Sequence, residues 1–463
     1  MKIARNVCTK YSVFILFALL TSGATMVHGT AFAQEETFLK VGEIDVPGGL
    51  NSFDIGFVDP KIGRYFLADR TNVTVDEVKT STNSIKQLAK GKFVGVQGVA
   101  GTPSATNTSG PNGVITANNH TEVWAADGVL CGTPAQNNAC TTATTPATQT
   151  SRILVIDLAT GELKVPPIDN GGNRRADELC EDPQHHIVLV ANDDDSDLFL
   201  TFISTDTYEI LGKMFLDGTD PNAQNIKALN GIEQCQWSPR TGKFYLAVPQ
   251  VPFPGIVSKA ANDTPGVVLE INPVSLKVTN VFSIDFGFLP AVTTPPTPAT
   301  AFCLGPQGMA IGPQGEILLG CSNSGQGSVI INERNGDLVR SLAGLNGNDE
   351  VWYNPGNNHY FLAGSNHNLA LPTPGAILGV VDQKPDTINE DASPATAAGS
   401  HSVAADPRFN QVYVPGNNAA TSICPGGHGC IAIFMSANHD TGICGGKQNA
   451  FKSHVCPGKP GTN

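Results

Sequence analysis

The chain has 463 residues, 40 % hydrophobic and 15 % charged, with 49 Gly and 32 Pro. That length supports a large core, and the composition is turn-rich and poor in strong helix formers. The net charge of −13 disfavours nucleic acid and anionic membrane surfaces as partners.

Residues 1–33 read as a secretory signal peptide. Lys2, Arg5 and Lys10 make the basic start, Tyr11 to Leu20 the apolar stretch, and Ala31-Phe32-Ala33 the small-x-small cleavage site. The apolar run is short for a membrane span. Cleavage leaves 25 basic against 41 acidic residues, a net −16, and ten cysteines. The expectation is a periplasmic or secreted protein, off the membrane once cleaved, with disulfides. Sequence proximity proposes Cys131–Cys140, Cys424–Cys430 and Cys444–Cys456.

After an extended segment from Phe38 to Val46, one phrase recurs seven times. A polar residue leads a short apolar stretch into a turn, and an apolar run follows. The copies are led by Asp54, Asn112, Asp177, Glu233, Gln307, Asp349 and His401, spaced 58, 65, 56, 74, 42 and 52 residues apart. Pro60, Pro183, Pro239, Pro313, Pro355 and Pro407 mark six of the turns, and Asn118 the seventh. Each copy predicts an antiparallel pair of strands, A and B. A second hairpin, C and D, follows most copies, most clearly from Ser151, Gly266 and Ser328.

Repeats of this period predict a seven-bladed, all-β propeller of four-stranded blades over 34–436, with a tail at 437–463. The last copy lacks a D strand, and the N-terminal segment supplies one. That closure would remove an open sheet edge.

Strand order assigns the B–C loops, the D–A links and the start of strand A to one face. The long insertions at 97–111, 128–150, 249–265, 287–306, 364–376, 382–400 and 416–429 all fall there. A rigid scaffold with loops elaborated on one side binds on that side. Cys180 and Cys235 lie in neighbouring A strands with opposite side-chain parity, which predicts a bond between facing blades. Cys303 and Cys321 bracket the fifth A–B pair on the loop face, which predicts a second.

The seven leading residues form an expected polar ring at the channel mouth. Each can ligate a metal or hydrogen-bond a ligand. Converging carboxylates require a cation, a shared proton or water. Their oxygens suit Ca²⁺ or Mg²⁺, and His401 would favour Zn²⁺ or Mn²⁺. Arg174 and Arg175 stand beside Asp177 as ion-pair partners. Asp193 to Asp197 reads as a solvated hairpin tip, and His185, His186 and His359 as inert turn residues on the far face. Trp124, Trp237 and Trp352 read as core between blades.

The A–B phrase resembles the YVTN-type β-propeller repeat of exported bacterial proteins, over essentially the whole mature chain. The axial ring also resembles regucalcin and gluconolactonase of the SMP-30 type, through Pro111-Asn112-Gly113 and the carboxylates Glu233 and Asp177 at strand starts. That resemblance implies a divalent metal polarising an ester. Asp177 or Asp349 would then activate water, with His401 as the other base. Glu233 lacks the Gly-Pro that follows the family's glutamate, and seven blades replace six.

Two functions follow. One is an exported propeller binding a small molecule, cation or protein on the loop face. The other is a metal-dependent hydrolase, lactonase or lyase using the ring. No haem, nucleotide, GxSxG or HExxH motif occurs in a credible context.

Overall fold

The computed structural model describes residues 36–97, 107–130, 149–193, 198–252, 266–284, 303, 305–322, 327–342, 344–345, 347–364, 375–384, 387–390 and 393–437. The signal segment, Cys131–Cys140 and Cys444–Cys456 lie outside them.

Strand β1 (Phe38–Ile44) stands apart from the blade that follows it. Blade 1 comprises β2 (Gly56–Asp59), β3 (Arg64–Asp69), β4 (Thr74–Lys79) and β5 (Ser84–Leu88). Blade 2 comprises β6 (Val114–Ala117), β7 (Glu122–Asp127), β8 (Arg152–Asp157) and the short β9 (Ile168–Asp169). Blade 3 holds β10 (Ala176–Asp182), β11 (Ile187–Asn192), β12 (Phe199–Ser204) and β13 (Ile210–Phe215). Blade 4 holds β14 (Cys235–Ser238), β15 (Lys243–Val248), β16 (Val267–Asn272) and β17 (Lys277–Ser283). Blade 5 holds β18 (Pro306–Ile311), β19 (Glu316–Cys321), β20 (Ser328–Asn332) and β21 (Leu338–Leu342). Blade 6 holds β22 (Asn348–Asn354), β23 (His359–Gly364), β24 (Ile377–Lys384) and β25 (Thr387–Glu390). Blade 7 takes β26 (Ala404–Asp406), β27 (Gln411–Gly416) and β28 (Cys430–Ser436) from the end of the chain.

Its fourth strand is β1, paired antiparallel to β28 with Phe38 opposite Ser436 and Ile44 opposite Ile431. The expected closure is therefore present. The innermost strands touch in order, and β26 contacts β2, so the ring is complete. All seven sheets are four-stranded and antiparallel within each blade.

One apolar cluster fills each gap between blades. Strand alternation sends successive side chains to opposite neighbours. In β3, Tyr65 and Leu67 pack toward blade 7 with Ile431 and Tyr413, while Phe66 packs toward blade 2 with Val123 and Leu154. Trp124 is fully buried between blades 2 and 3, as expected.

Gly312 before Pro313 excepted, the Asp, Ser or Asn before five of the six turn prolines has a direct role. Its side chain accepts the backbone N–H two residues on: Asp59 from Lys61 (2.9 Å), Asp182 from Gln184 (2.8 Å), Asn354 from Gly356 (3.1 Å) and Asp406 from Arg408 (2.9 Å). These side chains close the turn where proline supplies no N–H.

Three predicted disulfides are present. Cys180–Cys235 joins β10 to β14 across two blades, Cys303–Cys321 ties the link before β18 to the end of β19, and Cys424–Cys430 closes the loop before β28. One expected insertion is smaller than drawn. Residues within 382–390 extend β24 and form β25, so the link at that position begins after Glu390.

Candidate functional site

A β-bulge stands at the start of the innermost strand. In blade 1, Asp54 N–H donates to Ala68 O (2.9 Å), and Ala68 N–H returns to Ile55 O (3.1 Å). Asn112 and Gly113 oppose Ala126 in the same way, and Glu233 and Gln234 oppose Ala247. The register of β10, β18 and β22 shifts at Asp177–Glu178, Gln307–Gly308 and Asp349–Glu350. A bulge sets two residues against one and re-aims side chains. Here it brings both the leading residue and its successor to the axis, and simple alternation would send the successor away.

The structure joins six of the seven leading residues into contacts at one mouth and places Asp349 within their field. Arg70, just after β3, donates to the Asp54 carboxylate and from Nε to Asn112 Oδ1 (3.1 Å). The Asn112 amide nitrogen in turn donates to Ala176 O (2.7 Å). Arg175 binds Asp177 (2.8 Å), Asp193 (2.9 Å) and, across the mouth, Asp54 (3.4 Å). His401 Nε2 lies 3.3 Å from Asp54 Oδ1. The Gln307 amide donates to Glu233 Oε1 (3.3 Å).

Burial opposes charge on Asp54, but Arg70, His401 and Arg175 outweigh it and hold the carboxyl well below the usual range. Burial also opposes charge on His401. The hydrogen bond that its Nε2 donates to Asp54 and the charges of Asp349 and Asp54 push the imidazole up to about 9. Burial pushes Asp177 up to about 8, aided by Asp54 and Asp193 and resisted by Arg175. Glu233 and Asp349 are raised by burial and by neighbouring carboxylates. Protons and arginines therefore share the neutralisation of this mouth.

Arg70 and Asp193 complete the cluster and were not part of the expected ring. Asp193 was expected at a solvated tip. It is instead buried, accepting Ile232 N–H (3.0 Å) and Arg175. The signal for Arg70 is its place in the very short link between β3 and β4, on the loop face. Among the described residues, no group of three or more His, Cys, Asp or Glu side chains is placed to hold a metal ion.

Below the mouth, toward the A–B turns, the channel widens into a cavity of about 340 Å³. Phe57, Ile115, Trp237, Ile311 and Trp352 line it, together with Glu178 and Glu350. Trp237 and Trp352 were expected wholly within the core between blades. They do pack against it, but each is only half-buried and presents surface to the cavity, where the innermost strands diverge. Glu350 accepts the Ser402 hydroxyl and Val403 N–H (3.0 Å). Burial pushes it up to about 8.

On the outer turns, His185 Nδ1 lies 2.6 Å from Asp182, and His186 Nδ1 lies 3.2 Å from Asp206. His359 is buried 3.3 Å from Glu36.

No protein-family model matches the chain, and no curated protein matches it. Solved structures do. A chain in "Crystal Structure of Mitotic Checkpoint Complex" has TM-score 0.51 and 11 % identity, covering 92 % of this chain and 98 % of that one. The RRP9 WD40 repeats give TM-score 0.52 at 7 % identity, over 87 % of this chain and 99 % of theirs. U3-55K gives 0.51 at 8 %, over 87 % and 98 %. At such identities the likeness shows the fold alone. The chain is a seven-bladed β-propeller of the architecture seen in WD40 repeats, a fold commonly used as a protein-interaction scaffold.

Proposed function

We propose that this protein is an exported binding propeller, periplasmic or secreted, that holds a positively charged group of a ligand or partner at its loop-face channel mouth. The observation that carries this reading is the imbalance of charge-bearing groups there. Among the described residues, Asp54, Asp177, Asp193, Glu233 and Asp349 stand against three basic side chains, Arg70, Arg175 and His401. Burial and neighbouring carboxylates raise Glu233 and Asp349, and an arriving cation would favour their charged forms. The long loops expected on this face supply surface for a larger partner, and the resemblance to YVTN-type repeats and the leader-like first 33 residues support export. That one structural neighbour comes from the Mitotic Checkpoint Complex supports a protein as that partner.

The hydrolase, lactonase or lyase alternative has less to work with. Its axial asparagine, Asn112, is committed to Arg70 and to Ala176 O. Asp54 is committed to Arg70, Arg175 and His401.

Calorimetric titration of the mature protein with Ca²⁺, Mg²⁺, Mn²⁺, Zn²⁺ and a lysine-rich peptide tests the proposal. Binding of at least one, lost in the Glu233→Gln/Asp349→Asn double variant, is expected. Absence of binding by all of them, or binding indifferent to the double variant, overturns it.

A further inference from the structure

The far end of the channel is a second and chemically different site. Glu178 is more than nine-tenths buried, yet it borders the cavity and makes no hydrogen bond or ion pair among the described residues. Its neighbour Glu350, by contrast, has two donors. A buried carboxyl with no partner costs free energy unless something arrives to satisfy it. The bulge at Asp177–Glu178 is what turns this side chain to the axis.

The walls say what could arrive. Phe57 and Trp352 meet edge to face, with ring centroids 5.5 Å apart, and Trp237 lines the cavity beside them. Aromatic faces attract organic cations, most strongly where water is excluded. The end toward the A–B turns carries Asp59 and Glu181, with His120 Nδ1 2.6 Å from Asp59. The cavity is at the small end of the range for small-molecule sites, whose usual composition is a few placed polar groups within apolar and aromatic walls.

We propose that the turn-face cavity binds a small organic cation, a protonated amine or quaternary ammonium with an apolar body, its charge against Glu178 and Glu350 and its body between Trp237, Trp352 and Phe57. Burial and the charges of Asp177 and Glu350 raise the Glu178 carboxyl well above the usual carboxylate range. A cation bound against it favours the ionised carboxylate.

The probes are benzylamine and benzyltrimethylammonium, with benzyl alcohol as the uncharged control, titrated into the full mature chain and followed by tryptophan fluorescence and calorimetry. Both cations are expected to bind at least about tenfold more tightly than the alcohol. Glu178→Gln, which keeps shape and removes the charge, is expected to weaken the amine by about tenfold or more. Trp352→Leu should weaken both cations and serves as the independent variant if Glu178→Gln misfolds. Equal affinity for amine and alcohol overturns the proposal. So does binding unchanged in both variants. Amine binding lost in Glu233→Gln/Asp349→Asn but kept in Glu178→Gln would place it at the loop-face mouth, which overturns this site and leaves the other standing.

Discussion

Arg175, from the link into blade 3, reaches across the channel mouth to Asp54 of blade 1 while its other nitrogen holds Asp177 and Asp193. One guanidinium thus ties the start of β10, the end of β11 and the entry to β2. Removing it leaves buried carboxyls without their counter-charge. Arg175→Ala is expected to cost about 3–5 kcal/mol, the usual penalty for breaking a buried pair. Arg175→Lys should recover part of that, because a single ammonium replaces the charge but not the fork. Urea denaturation measures both. A loss under about 1 kcal/mol for Arg175→Ala would show that the mouth does not depend on Arg175 for its neutralisation.

Stability should fall as pH rises from about 5 to 9. Folding lifts Asp177 from 3.8 and Glu350 from 4.5, each to about 8. Between those values the folded state holds protons that the unfolded chain has released, so raising pH favours unfolding. His401 is lifted from 6.5 to about 9, so its contribution is fully present below 6.5 and lost as pH rises through 9. The depressed Asp54 acts oppositely, contributing above its unfolded value of 3.8 and losing that contribution in strong acid. Thermal melts from pH 5 to 9 check this, and Glu350→Gln should flatten the slope between 5 and 8. A melting temperature that rises across this range would contradict the assignment.

At Gly113 the backbones of blades 2 and 3 meet directly. Its N–H donates to Asp177 O (3.1 Å), and a Cβ there would stand 2.1 Å from that oxygen. Gly308 repeats the arrangement against Asp349 O at 2.9 Å. Gly113→Ala is expected to cost about 1–3 kcal/mol through overpacking. An unchanged denaturation midpoint would show that the blades can part without cost.

The repeat made the blades, their number, the closure by β1 and the disulfides Cys180–Cys235 and Cys303–Cys321 legible in the sequence, because each depends on strand order and alternation, while Cys424–Cys430 was legible from proximity alone. Asp54, Asn112 and Asp177 could be placed at one mouth on the same grounds. Arg70 and Asp193 could not, since they reach the axis from strand ends whose link lengths differ from blade to blade. Glu178 and Glu350 escaped for a sharper reason. Alternation assigns them to the sheet face, and the bulge cancels alternation at that single step. Trp237 and Trp352 carry a core-like signal, and only the divergence of the inner strands exposes part of each to the cavity.

The Cys180–Cys235 bond spans 55 residues between adjacent blades. Replacing both cysteines with Ala should cost about 2–4 kcal/mol. The test compares urea midpoints of the double variant and the parent under oxidising conditions. Equal midpoints would mean that blade packing alone fixes this interface.

The pairing of β1 with β28 also sets an order in time. The segment from Phe38 to Ile44 leaves the ribosome hundreds of residues before its partner exists. Six blades can form as they emerge, each from local hairpins, but the seventh must wait for both ends of the chain. Until then Phe38 is not held in its place against Phe361 and His359 of blade 6. The earliest strand to be synthesised is the last to find its place, and a chain that stops short of Ser436 leaves the circle open.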